Sequence, residues 1–183
     1  MCLIAAGLNS CKRSSEQPTT YFDSLVVAQG AWLSSAKASV SKNTMVNGTH
    51  DQVKLSPDSL GWQNELEIFR QLSAFERPAY KSHYRVEDGI KDVKSNLSIR
   101  RYTATQSNPV SQLQFYYFNH FRNIRKIEAV YHQENLLYAT RRKLIMEFDD
   151  INGTAVLTGY SMDGIQKMML SDSVRFSLKA LVE

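Results

Sequence analysis

The chain of 183 residues is 43% apolar and 22% charged, the balance of a folded domain of ordinary size and not of a disordered segment. Its formal charge of +4 comes from scattered basic residues, with Arg141-Arg142-Lys143 the densest group, so the composition speaks against a nucleic-acid interface. Both cysteines, Cys2 and Cys11, fall at the extreme N-terminus. The body therefore has no disulfide scaffold, no CxxC zinc site and no thiol nucleophile.

Residues 3–8, Leu-Ile-Ala-Ala-Gly-Leu, are apolar and uncharged. They lead into Leu8-Asn9-Ser10-Cys11 and then into a polar stretch, 12–20, containing Lys12, Arg13 and Pro18. An apolar run, small residues before a cysteine and an abrupt polar linker resemble the end of a bacterial lipoprotein signal peptide of the Gram-negative envelope. The resemblance implies that Cys11 becomes the lipid-bearing residue after cleavage, and that 12–20 tethers the domain to the outer membrane. The positive region of such a signal is then expected upstream of Met1. Cleavage would also remove Cys2 and cap Cys11, leaving no free thiol in an oxidising compartment. The competing reading makes "MCLIAAGL" a buried N-terminal strand of a cytoplasmic protein, with Cys11 an incidental thiol. No apolar run reaches the roughly 20 residues that a membrane-spanning helix needs.

The expected division is thus 1–11 signal remnant, 12–20 tether and 21–183 a single domain. Phe22, Leu25, Val26, Gln29, Leu33 and Ala36 recur at helical spacing and predict a helix over 21–36. Asn47-Gly48 predicts a hairpin with arms at 38–46 and 49–55, because a type I′ turn needs positive φ at both central residues. Ser56-Pro57-Asp58-Ser59 opens a second helix with the stripe Trp62, Leu66, Phe69 and Leu72, ending before Pro78. The remainder reads as extended segments at 79–87, 96–105, 110–118, 123–133, 136–148, 154–161, 165–170 and 173–182. Asp88-Gly89, Ser107-Asn108-Pro109, Glu134-Asn135 and Asp163-Gly164 are the expected turns. In the last segment Val174, Phe176, Leu178, Ala180 and Val182 alternate with polar residues, giving one dry face. In 136–148, Leu136, Tyr138, Leu144, Met146 and Phe148 are expected to share a face.

The expected class is α+β: two N-terminal helices with an intervening β-hairpin, packed on a long, curved antiparallel sheet shaped as a half-barrel or cone. That outline resembles periplasmic lipid- or lipoprotein-carrier folds and nuclear-transport-factor-2-type cones, by shape alone.

Motifs that carry chemistry are few. His50, His83, His120 and His132 lack metal-ligand spacing, and no metal or cofactor is expected. "EFDDINGTA" at 147–155 has no closing acidic residue after Gly153, so a strand-to-strand turn explains it better than a calcium loop. There is no G-x-S-x-G elbow, no GxGxxG and no phosphate-binding loop. Three N-x-[ST] sequons, at Asn47, Asn96 and Asn152, carry no weight in a bacterial chain. "QFYYFNHF" at 114–121 is the densest aromatic run. It is either a central strand apolar on both sides or one wall of an apolar pocket, for which Phe115, Tyr117, Tyr138 and Phe148 are the candidates. The functional expectation is a lipid-anchored, non-catalytic envelope module. Its partners would be the membrane through lipid on Cys11 and either an apolar ligand or another envelope protein. A small cone-type enzyme is the alternative from a different class.

Overall fold

Strand-forming sequence dominates the chain, and the computed structural model, which describes residues 21–169 and 172–183, gathers it into one sheet. Cys11 and the 12–20 stretch lie outside the described residues. Helix α1 (Tyr21–Ser35) is followed by β1 (Val40–Val46), β2 (Thr49–Leu55) and α2 (Ser59–Arg70). A 3₁₀ segment (Gln71–Glu76) leads into the one-turn α3 (Pro78–Lys81). Seven strands then run in sequence: β3 (Tyr84–Lys91), β4 (Ser98–Ala104), β5 (Val110–Tyr117), β6 (Ile124–Glu134), β7 (Tyr138–Ile151), β8 (Thr154–Met168) and β9 (Val174–Val182). The order is β2-β1-β9-β8-β7-β6-β5-β4-β3, with every neighbouring pair antiparallel.

This architecture corrects the expected class. The chain is not an α+β half-barrel or cone built on two N-terminal helices; it is mainly one open nine-stranded antiparallel sheet, with short helices accessory to it. The shape resemblance to carrier folds and cones falls with it. The physical reason lies at the edges. Every residue of β2 is exposed, and β3 is exposed or only half-buried throughout. Neither edge has the inward apolar row that a closing strand must bury. Two expected strands, 154–161 and 165–170, also merge into the single long β8.

Two of the expected turns are strand interior instead. Gly164 sits mid-β8 opposite Phe176 of β9. A Cβ there would collide with the Phe176 ring and lie 2.9 Å from the Arg141 carbonyl, so glycine is required by close approach and not by a turn. Asp88-Gly89 forms a bulge where the β3–β4 register shifts between Glu87 and Ile90, with Gly89 at φ 74°. The tight hairpins do close on Asn-Gly: Asn47 and Gly48 have φ 48° and 88°, Asn152 and Gly153 φ 54° and 82°. Asp150 Oδ1 accepts from the Gly153 N–H at 2.6 Å, so 147–155 is the β7–β8 hairpin with Asn152-Gly153 as its turn.

The core lies on one face of the sheet. α1 contributes Phe22, Val26 and Leu33, α2 contributes Trp62, Leu66 and Phe69, and the sheet contributes Leu113, Phe115, Ile127, Leu144, Met146 and Leu157. α2 starts where Asp58 Oδ1 accepts from Gly61 N at 2.7 Å, an ordinary N-cap. A polar residue of α1 also sits inside this apolar layer. Gln29 of α1 donates through Nε2 to the Ala155 carbonyl (2.9 Å) and accepts at Oε1 from the Leu157 N–H (2.8 Å). Pairing of β8 with β9 stops at Gly159–Leu181, so the Gln29 amide continues the ladder where β9 has ended.

Candidate functional site

The proposed pocket residues do not converge. Phe115 and Phe148 are filled core, 1% and 4% exposed. Tyr117 is buried, and its hydroxyl donates to Asp88 Oδ1 at 2.8 Å. Asp88 in turn pairs with Arg100, whose guanidinium lies 3.8 Å from the Phe121 ring centroid; Tyr117 thus braces the β3 bulge. Tyr138 is half-buried at the far end of β7, paired with Met168. None of the four lines the principal cleft. Cys11 lies outside the described residues.

The principal cleft, of about 1280 Å³, opens instead between the 3₁₀ segment with α3 and strands β3 and β4. Its floor is aromatic. Phe75 meets Tyr102 edge-on with centroids 5.1 Å apart and Tyr84 at 6.3 Å. Local sequence explains the shape: Pro78 supplies no N–H and starts a new turn, so the chain steps from the 3₁₀ segment into α3 at an extended Arg77. That step lifts α3 away from the sheet and leaves Val86, 52% exposed, on the floor.

The rim is charged in two ways. On one side Arg70 Nε donates to Asp23 Oδ1 at 2.7 Å and Nη1 to Glu67 Oε2 at 3.0 Å; the bond to Asp23 holds the guanidinium even more firmly protonated than usual. Glu76 Oε2 accepts from the Phe22 N–H at 2.9 Å and so ties the start of α1 to the cleft. On the other side, Arg77 and Lys81 are exposed, and among the described residues neither has a carboxylate within ion-pair distance. Burial pushes the Tyr84 hydroxyl up to about 12, and that hydroxyl donates to the Val110 carbonyl at 2.6 Å. Burial likewise raises Tyr102, against the opposing charge of Arg100. Both phenols are therefore neutral hydrogen-bonding groups at physiological pH.

An aromatic floor, neutral phenols and unpaired cations on the rim suit an apolar or aromatic molecule with an acidic group. Sequence reasoning missed this cleft because its residues come from separated segments and share no spacing. Phe75 falls inside the helix expected to end before Pro78, where it reads as one more apolar residue, and nothing local marks Tyr84 or Tyr102. His83 Nδ1 lies 3.2 Å from Asn108 Oδ1 and His132 Nε2 lies 3.4 Å from Glu134 Oε2. Among the described residues no three His, Cys, Asp or Glu side chains come together as a metal site, and no helix is long and apolar enough to cross a membrane.

The chain matches no family model, no curated protein and no solved structure.

Proposed function

We propose that the chain is a non-catalytic binding module held at the cell envelope by lipid on Cys11, with the Phe75–Tyr84–Tyr102 cleft as its ligand site. The observation that carries the binding reading is the cleft itself: an aromatic floor beside two exposed cations, Arg77 and Lys81. Support for the anchor comes from the sequence, where the apolar run, Leu8-Asn9-Ser10-Cys11 and the polar 12–20 stretch follow one another. Two or three acyl chains on one cysteine hold a domain at a bilayer, since each buried CH₂ contributes about 0.8 kcal/mol.

Anilinonaphthalene sulfonate, an aromatic anion, tests the cleft. The protein should bind it saturably with one probe per chain. Val86→Trp should abolish that binding by filling the floor, and Lys81→Glu should weaken it, with both variants melting like the parent. Undiminished binding by Val86→Trp would overturn the assignment. The anchor is tested by intact mass of the protein from the membrane fraction of its native host. Loss of residues 1–10 with a lipid adduct on Cys11 is expected; an unmodified chain retaining Met1 refutes it.

A further inference from the structure

The β6–β7 connection departs from the way this chain closes its other tight hairpins. Where β1 meets β2 and β7 meets β8, Asn-Gly occupies the two central positions, and the exposed apolar residues beside it, Val46 and Ile151, belong to the strand ends and are 50% and 46% exposed. Between β6 and β7 the two central positions are Leu136 and Leu137, 94% and 67% exposed. They are held outward by a built turn: Asn135 Oδ1 accepts from the N–H groups of Leu137 (2.8 Å) and Tyr138 (3.0 Å), and the Asn135 N–H donates to the Tyr138 carbonyl at 2.9 Å. The end of β8 joins the same tip, because the Met169 N–H donates to the Leu137 carbonyl at 2.9 Å. Met168 and Met169 are 49% and 71% exposed. Four large exposed apolar residues thus sit on neighbouring, hydrogen-bonded backbone at one end of the sheet. An isolated exposed leucine needs no explanation, whereas a contiguous protruding group marks a contact surface.

The charge behind the tip identifies the contact. On the sheet face away from the helices, a shallow trough of about 580 Å³ crosses from β1 to β6. Arg141, Lys143 and Arg175 line it, with Asp163 among them. Lys143 is engaged by Glu128 at 2.7 Å; among the described residues Arg141 and Arg175 have no carboxylate within ion-pair distance. Ile165, opposite Arg141, links trough to tip. Across 132–143 and 163–175, five cations (Arg141, Arg142, Lys143, Lys167, Arg175) stand against three acids, Glu134, Asp163 and Asp172, with Glu128 a fourth through its bond to Lys143. An apolar point with a cationic collar behind it complements a bilayer with anionic headgroups: the side chains enter the acyl boundary while the collar stays at headgroup level.

We propose that residues 134–138 and 166–169 form a membrane-dipping tip that seats the domain on an anionic lipid surface. The tip stands independently of the cleft and of acylation at Cys11. It would supply the second attachment that converts a lipid tether into an oriented contact.

The test uses the full chain carrying Cys11→Ser, so that no acyl chain contributes, in co-sedimentation with two vesicle types. One is phosphatidylethanolamine with phosphatidylglycerol; the other is phosphatidylcholine alone. The anionic vesicles should carry the protein down and the neutral ones much less. Leu136→Ser and Leu137→Ser should each lower the partition coefficient roughly tenfold, the ratio corresponding to about 1.4 kcal/mol. Arg141→Gln with Arg175→Gln should erase the preference for anionic vesicles. Leu60→Ser, which removes a leucine 63% exposed on α2, should change nothing. No binding to anionic vesicles, tip variants that bind like the parent, or an equal loss in Leu60→Ser would each overturn the proposal. A dimer that dissociates in Leu136→Ser, with the protein leaving vesicles untouched, would overturn it in favour of a second copy of the chain.

Discussion

Replacing Gln29 isolates the polar link between α1 and β8 through the apolar layer. Gln29→Met keeps the length and most of the packing of the side chain while removing both hydrogen bonds to β8. Each bond contributes about 1 kcal/mol net, and an orphaned buried backbone group costs about 1–3 kcal/mol. Gln29 is 6% exposed, and its Oε1 bond to Leu157 N is fully buried. The Ala155 carbonyl and the Leu157 N–H have no β9 residue to turn to, because that pairing ends at Gly159–Leu181. The expected loss is therefore about 2–5 kcal/mol, readable as a lower midpoint in urea unfolding with an unchanged slope. A loss below about 1 kcal/mol would refute the idea that a side chain completes the ladder. Gln29→Glu sharpens the test by its sign. A carboxylate can still accept from Leu157 but confronts the Ala155 carbonyl, so the charged form is disfavoured in the fold and its pKa is raised above the unfolded value. Stability of that variant relative to the parent should then be restored as pH falls and lost as pH rises through the folded pKa.

Two further substitutions probe the sheet. Gly164→Ala forces a Cβ against the Phe176 ring and the Arg141 carbonyl and should cost about 1–3 kcal/mol; adding Phe176→Leu should return part of that in a double-mutant cycle, and strict additivity would show that the ring is not the obstacle. Desolvation pushes the Glu128 carboxyl up, but the hydrogen bond and charge of Lys143, with Lys126 behind, outweigh it and leave it below the usual carboxylate range. That contribution is present above the unfolded pKa and fades as pH falls through the folded one. Glu128→Gln should thus flatten the acid limb of the stability curve by about 1 kcal/mol or less, and an unchanged limb would contradict the pairing.

Local conformational demands were legible in the sequence, and long-range arrangement was not. Asn47-Gly48 and Asn152-Gly153 declare their turns because few residues tolerate positive φ. The alternation in 173–182 and the antiparallel sheet follow from period two. Asp163-Gly164 misled, because glycine answers two demands: a turn, or a neighbour too close for a Cβ. Only the position of Phe176 across the strand pair distinguishes them. The expected face shared by Leu136, Tyr138, Leu144, Met146 and Phe148 breaks at its start. Leu144, Met146 and Phe148 are buried while Leu136 stands in the turn, since the chain turns at Leu136-Leu137, closed by Asn135, two residues later than the expected Glu134-Asn135. Sheet closure depends on whether the edge strands bury a row of side chains, and no strand's own sequence records that. The cleft was invisible for a related reason: its three rings come from the 3₁₀ segment, β3 and β4, brought together by the step at Arg77–Pro78.

The cleft and the tip lie at the same end of the sheet. The chain leaving α3 enters the sheet at the end that carries the β6–β7 turn: the His83 N–H donates to the Tyr80 carbonyl, the Thr105 N–H beyond β4 to the His83 carbonyl, and the His132 N–H of β6 to the Pro109 carbonyl. Tyr131 of β6, opposite Arg142 of β7, lies within the electrostatic reach of both Arg77 and Tyr80. The rim cations of the cleft and the collar behind the tip therefore belong to one end of the molecule. The nine residues of 12–20 reach at most about 30 Å when extended, and they join the domain at Tyr21, which itself lines the cleft. A lipid on Cys11 would keep this same end near the bilayer, whereas attachment at the Asn152-Gly153 end would turn the cleft away from it. The two proposals thus constrain each other while failing separately: Val86→Trp should empty the cleft without releasing vesicles, and Leu136→Ser should release vesicles without emptying the cleft.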